Sequence, residues 1–159
     1  MGKASAGGTA PAGSEKIEVD FYRDTPVRYL GYANELGESF RPMVPKMVVP
    51  SYIVSFGYVV ADTYSKANKA RSIGKKGNEV GKIAVDTLLW QSFASVLIPG
   101  FVIHKVVDLS TFATKRMKMP PPVMRFGPTA AGLLAIPFII HPIDHFVDVV
   151  MDNSVRKMW

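Results

Sequence analysis

Five polar residues of this chain stand out because of what surrounds them: Asp86, Gln91, His104, His141 and Asp144. His141 and His145 are four apart, so a helix would carry both on one face with Asp144 beside them. Two histidines and a carboxylate form a set that zinc and non-haem iron sites use. Pro142 lies between the histidines, however, and no third ligand has a fixed place, so hydrogen bonding at an interface is the reading and no metal or other cofactor is expected. Asp86 stands about one turn inside an apolar run, where an isolated charge costs a few kcal/mol in lipid. It therefore requires Lys82 one turn earlier or a group on a facing helix; a proton or ion relay is the functional alternative. Asp144, Asp148 and Asp152 recur at every fourth residue, as a wet face or as partners for basic segments. His104 reads as a polar anchor at the end of a span.

Other chemistries lack their residues. The chain has no cysteine, which excludes disulfides, thiolate nucleophiles and cysteine-ligated metals. Gly74 and Gly77 flank two lysines without the spacing or the following hydroxyl residue of a phosphate loop, and neither a nucleophile elbow nor a dinucleotide fingerprint is present. An enzyme is not expected.

The elements that must position these residues are apolar and long. The run IAVDTLLWQSFASVLIPGFVIHKVV begins at Ile83, and 22 helical residues reach about 33 Å, close to the thickness of a bilayer's hydrocarbon. Lys82, Lys105 and Trp90 suit its ends to a membrane interface, so residues 83–104 are predicted to span; a buried helix of a soluble domain is the alternative. A second candidate span covers 43–64, with tyrosines 52, 58 and 64 at interfacial places. The third covers 126–143, where Gly132 and the alanines allow close helix approach and Pro137 and Pro142 must kink the helix or end it. Thr25 and Pro26, with Asp24 before them, signal a helix start. From there Val27, Leu30, Ala33, Leu36 and Phe40 form an apolar stripe opposite a wet side of Arg28, Glu35, Glu38 and Arg41. This helix is expected to pack on the bundle rather than lie on a bilayer surface. Residues 66–82 read as a flexible basic loop, residues 108–125 as an interfacial helix with a polyproline elbow, and the C-terminal segment as an amphipathic continuation. The fold class is thus an all-α membrane protein of about three kinked transmembrane helices with N-terminal, inter-span and C-terminal amphipathic helices. Residues 1–16 are expected to be a disordered tail and 17–159 a single helical membrane domain.

Composition agrees with a mixed membrane and interfacial character. The 159 residues are 48% hydrophobic and carry a formal charge of +6, with a mean hydropathy of +0.14 and a pI near 9.6. One core is all such a chain can bury. Its cations gather beside the apolar runs, where anionic headgroups would lie, rather than interleaving with aromatics as nucleic-acid binding requires. Lys75, Lys76, Lys115, Arg116 and Lys118 are the candidate contacts to anionic lipid, cardiolipin included; a solvated connection is the bland reading. No nucleic acid or small-molecule substrate is expected. The start of the chain has no apolar signal core, and Ala6 stands where a myristoylation pattern wants Ser or Thr. Basic connections on both sides of the central span leave the orientation open.

Three strings carry a resemblance: YRDTPVRYLGYANELGESFR at 22–41, VDTLLWQSFASVLIPGF at 85–101 and GLLAIPFIIHPIDHFVDVVMDNSVRK at 132–157. In matching order over somewhat more than half of the chain, they resemble the mitochondrial fission process protein family. The resemblance implies a small, multi-pass, integral protein of the mitochondrial inner membrane that influences mitochondrial fission, inner-membrane integrity and sensitivity to apoptosis. It supplies no catalytic residues, and the N-terminal tail and residues 108–122 fall outside it. A non-enzymatic scaffold or regulator, bound to other inner-membrane proteins and to anionic lipid, is the reading. An accessory subunit of a respiratory assembly is the first alternative. A small solute carrier with a midplane site at Asp86 and His141 is the second.

Overall fold

The computed structural model describes Tyr22 and residues 25–159, which are helical with short connections. The tail expected over 1–16 and Asp24 of the helix-start signal lie outside the described residues. A tight 3-10 segment, Pro26–Tyr32, leads into the short helix α1 (Ala33–Ser39). Three long helices follow: α2 (Val48–Ser72), α3 (Gly77–Arg116) and α4 (Pro121–Asn153). A final 3-10 turn covers Val155–Met158.

Local chemistry places the boundaries. Thr25 caps the first segment, its side chain accepting from the Val27 N–H, and Pro26 follows in the first turn, where its missing N–H goes unneeded. Pro50 falls in the first turn of α2 for the same reason. The candidate span at 43–64 therefore starts later, at Val48. It also runs further, because Lys66, Ala67, Lys69, Ala70 and Arg71 form helix readily and Lys66 pairs with Asp62 at 2.9 Å one turn back. The flexible loop expected over 66–82 shrinks to residues 73–76. Likewise the interfacial helix expected over 108–125 is no separate element. Residues up to Arg116 continue α3, and Pro121 and Pro122 open α4 instead of forming a polyproline elbow. The only extended proline there is Pro120, at φ −54° and ψ 149°.

Pro137 does not end the third apolar run, nor does Pro142. Pro128, Pro137 and Pro142 all lie inside α4, which continues to Asn153. In α3 the backbone widens at Ser92–Leu97, where the Ile98 N–H donates to the Phe93 carbonyl five residues back. Such a turn opens the ladder ahead of Pro99, whose ring would otherwise press on a carbonyl one turn earlier.

The long helices form two antiparallel hairpins that share α3. The first half of α3 packs on α2, and its second half packs on α4. At 40 residues α3 would be about 60 Å long, so the 73–76 and 117–120 connections lie at its opposite ends. The small helix α1 touches α2, α3 and α4 at once. Apolar clusters form on either side of the wide turn, Trp90 and Ala94 with Ile143, Val147 and Met151, and Val96 with Tyr58 and Val59. Two of the helices, Gly77–Arg116 and Pro121–Met158, the latter with its closing turn, are long and apolar enough to cross a membrane.

Glycines let the helices meet. A Cβ at Gly132 would come within 2.8 Å of Ser39 Oγ and 2.9 Å of Val107 Cγ2, the close approach that the sequence anticipated there. A Cβ at Gly57 would meet nothing. Gly132→Val is therefore expected to destabilise the detergent-solubilised protein by about 1–3 kcal/mol through overpacking. Gly57→Ala should raise its stability by about 0.5–1 kcal/mol, both read from unfolding midpoints.

Candidate functional site

Among the described residues, fourteen apolar side chains and ten polar or charged ones are buried, whereas thirty large apolar ones are exposed. The division is sharpest at α1. Asn34 and Glu35 are 0% exposed and Glu38 3%, while Leu30 and Leu36, on the stripe expected to face the protein, are 51% and 46% exposed. The helix does pack on the bundle, but through the side that periodicity had marked as wet. The polar face turns to partners inside the protein, and the apolar face is left outward.

Those partners form a layer around the wide turn of α3. The Asn34 backbone N–H donates to Ser55 Oγ at 2.9 Å, and its side-chain amide donates to the Val96 carbonyl at 2.9 Å. Ser55 Oγ donates in turn to Asn34 Oδ1 at 2.9 Å. Fully buried Asp62 accepts from Gln91 Nε2 at 2.6 Å and from Lys66 Nζ at 2.9 Å, and Ser95 donates to Gln91 Oε1. Gln91, singled out from the sequence, is thus the strut between α2 and α3.

Glu38 centres the most heavily bonded part. Arg41 grips it with two hydrogen bonds of 2.7 and 2.8 Å, Tyr52 donates at 3.0 Å, and His104 Nδ1 lies 3.0 Å away. The other ring nitrogen of His104 lies 3.2 Å from Asp108. His104 is accordingly a bridge between α1 and α3 rather than a simple end-of-span anchor. Burial opposes the charged form of Glu38, but the bonds from Arg41, His104 and Tyr52 outweigh it and hold the carboxyl below its ordinary value. A cavity of about 230 Å³ opens beside these residues, floored by Gly100.

Glu35 is the opposite case. Both its carboxyl oxygens are buried without a hydrogen-bond partner among the described residues. Burial, aided by the nearby Asp144 charge, pushes the carboxyl from 4.5 up to about 9, so at neutral pH it is protonated. That Asp144 pairs with Arg28 at 3.0 Å, and Arg28 also bonds Tyr32 at 2.8 Å.

A third group closes the far end. Arg156 binds Asp86 at 2.6 and 3.1 Å, Asp152 at 2.8 Å and Asp148 at 3.2 Å, and Trp90 Nε1 donates to Asp148 at 2.9 Å. Asp86 thus finds its partner on the facing helix hairpin and not in Lys82. All three carboxylates of the Asp144, Asp148 and Asp152 stripe are ion-paired. His141 is exposed and borders a cavity with Arg28 and Tyr32. It lies about four turns along α4 from the residues that meet Asp86, so the two do not share a site. Among the described residues no group of three or more His, Asp or Glu is placed to hold a metal ion.

Lys75, Lys76, Lys115, Arg116 and Lys118 are all exposed. They fall into two groups at opposite ends of α3 and cannot act as one patch. Periodicity missed Asn34, Glu35, Glu38, Ser55 and Asp62. The signal that could have found them is the density of polar residues on α1 and α2, level with an apolar run that offers no water.

These features define a helical protein with a polar, hydrogen-bonded interior, an apolar exterior and two helices able to cross a membrane. The chain belongs to the family described as Mitochondrial 18 KDa protein (MTP18), whose profile matches residues 22–80 and 65–151. It is similar to proteins named mitochondrial fission process protein 1. The one from Caenorhabditis briggsae is 46% identical, with 94% of this chain and 98% of the relative covered. The Caenorhabditis elegans protein is 48% identical, over 91% and 92%, and the human one 47% identical, over 94% and 92%. No solved structure matches the chain.

The unpartnered Glu35 carboxyl makes stability depend on pH. Its pKa is higher folded than unfolded, so its stabilising proton is fully effective below about pH 4.5 and is lost as pH rises toward about 9. In detergent, Glu35→Gln should flatten that decline, by up to about 1.4 kcal/mol per pH unit, as measured by unfolding midpoints from pH 5 to 9. An identical pH profile for the variant would show that Glu35 is charged in the folded state.

Proposed function

We propose that this chain is a non-enzymatic, multi-pass integral protein of the mitochondrial inner membrane that acts in mitochondrial fission and inner-membrane integrity through contacts with other proteins and with anionic lipid. The inverted amphipathicity of α1 carries the membrane part of this reading. Burying Asn34, Glu35 and Glu38 while exposing Leu30, Leu36 and Phe40 is favourable only where the outside is less polar than the inside. Helix α2 joins α3 and α4 as a third span: Val49, Ile53, Phe56, Val60 and Tyr64 form an exposed stripe along its length, and its buried Asp62 points to the interior. The names of the relatives, mitochondrial fission process protein 1, support the role in fission. Most of the hydrogen-bonded polar groups of the interior, Asn34, Glu38, Ser55, Asp62 and Gln91 among them, hold helices to one another, which favours a structural and interacting part over transport or catalysis.

Alkaline carbonate extraction of mitochondria expressing the chain, with protease access at each terminus, tests the placement. The protein is expected in the membrane pellet, and digestion only after the outer membrane is opened is expected at any terminus facing the intermembrane space. Release into the carbonate supernatant would contradict insertion. Depletion of the protein is expected to change mitochondrial length in fixed-cell images, and restoration by Arg156→Ala should be partial, because the clasp on Asp86 and Asp148 is lost.

A further inference from the structure

The two hairpin connections of this molecule are built alike and filled differently. At the end of α2 the Lys75 N–H returns to the Ala70 carbonyl at 3.1 Å and the Gly74 N–H to the Arg71 carbonyl at 3.0 Å. At the end of α3 the Met119 N–H returns to Thr114 at 3.1 Å and the Lys118 N–H to Lys115 at 3.1 Å. Both are the same six-to-one and five-to-two cap, which needs one residue in the left-handed region. In the first that residue is glycine, Gly74 at φ 83°; in the second it is Lys118 at φ 50°, the one non-glycine residue with positive φ among those described. A side chain there destabilises the cap relative to glycine, so some gain must offset the strain of a lysine at this position.

The surroundings of Lys118 say what that gain is. Lys115, Arg116, Lys118 and Arg125 are exposed, and among the described residues none of the four forms an ion pair. No acidic residue occurs between Asp108 and Asp144. Exposed Phe112, Met117, Val123 and Phe126 are interspersed with the cations along the elbow, and Arg125 lies over the Phe126 ring at 5.5 Å. Exposed cations beside exposed apolar side chains suit the meeting of phosphate and acyl chain at a bilayer surface. At the opposite end, Lys75 and Lys76 are followed within one turn by Glu79, and the three carboxylates around Arg156 lie further along.

We propose that the α3–α4 elbow, through Lys115, Arg116, Lys118 and Arg125, binds the headgroup phosphates of anionic phospholipid, and that the α2–α3 connection does not. This rests on the reading of the chain as a membrane protein, and it commits that reading to one end of the molecule. The full chain reconstituted in phosphatidylcholine bilayers with spin-labelled cardiolipin, or with spin-labelled phosphatidylcholine, reports both levels separately. Motionally restricted phosphatidylcholine registers insertion, and the preference for cardiolipin over it registers the elbow.

At roughly 1 kcal/mol per cation near an anionic surface, or about fivefold in association, Lys118→Gly should lower the preference up to about fivefold. The same variant should favour the folded state by about fivefold or more in the folding equilibrium. Substituting all four cations by Gln should abolish the preference and its salt dependence, while Lys75→Gln with Lys76→Gln leaves both unchanged. No restricted lipid at all would overturn insertion. Restricted lipid without a cardiolipin preference, or a preference that survives in the four-cation variant or disappears with the Lys75 and Lys76 variant, would overturn the elbow alone and leave it to an acidic protein partner. A Lys118→Gly protein with unchanged stability and unchanged preference would overturn the special role of that lysine.

Discussion

A carboxylate taken out of water must find donors or keep its proton, and the interior of this protein is arranged around both outcomes within one turn of α1. Glu38 is held as an anion by Arg41, Tyr52 and His104. Glu35 has no donor among the described residues, and burial raises its carboxyl pKa to about 9, which favours the protonated form. Together they fix the helix with its polar side inward. Since α1 touches all three long helices, its docking sets the spacing of the bundle. The wide turn of α3 serves the same end, offering the Val96 carbonyl to Asn34 and placing Gln91 and Ser95 at buried Asp62. Removing one member of such a layer leaves the rest unsatisfied, and each orphaned group costs about 1–3 kcal/mol.

The helical class, the helix start at Thr25 and Pro26, the close approach at Gly132 and the need of Asp86 for a partner were legible in the sequence, though not whether Lys82 or a facing group would supply it. They depend on local rules: a cap, a small residue, a charge in an apolar run. The inward turn of α1 was not legible, because periodicity separates two faces without saying which one meets the solvent. That choice belongs to the surroundings. The connections were overestimated for a related reason. Lysine, glycine and proline in 66–82 and 108–125 resemble loop composition, yet prolines fit in a first turn and lysines favour helix, so α2, α3 and α4 absorb most of both segments. The polar layer draws its members from positions as far apart in sequence as Glu38 and His104, and no spacing rule reaches that far.

An interior committed to holding helices together, with its surface apolar and its free cations at the ends, leaves binding as the work of the outside. The chain belongs to the Mitochondrial 18 KDa protein family and is similar to proteins named for mitochondrial fission.

Everything above depends on the outward apolar faces meeting hydrocarbon. The chain contains no cysteine, so single cysteines introduced at Leu36, Ile53 and Phe138 carry a spin label uniquely. In reconstituted bilayers their collision rates with oxygen should exceed those with a water-soluble nickel complex, the ordering that hydrocarbon produces. Labels at these three sites that relax more readily with the aqueous nickel reagent would contradict the account.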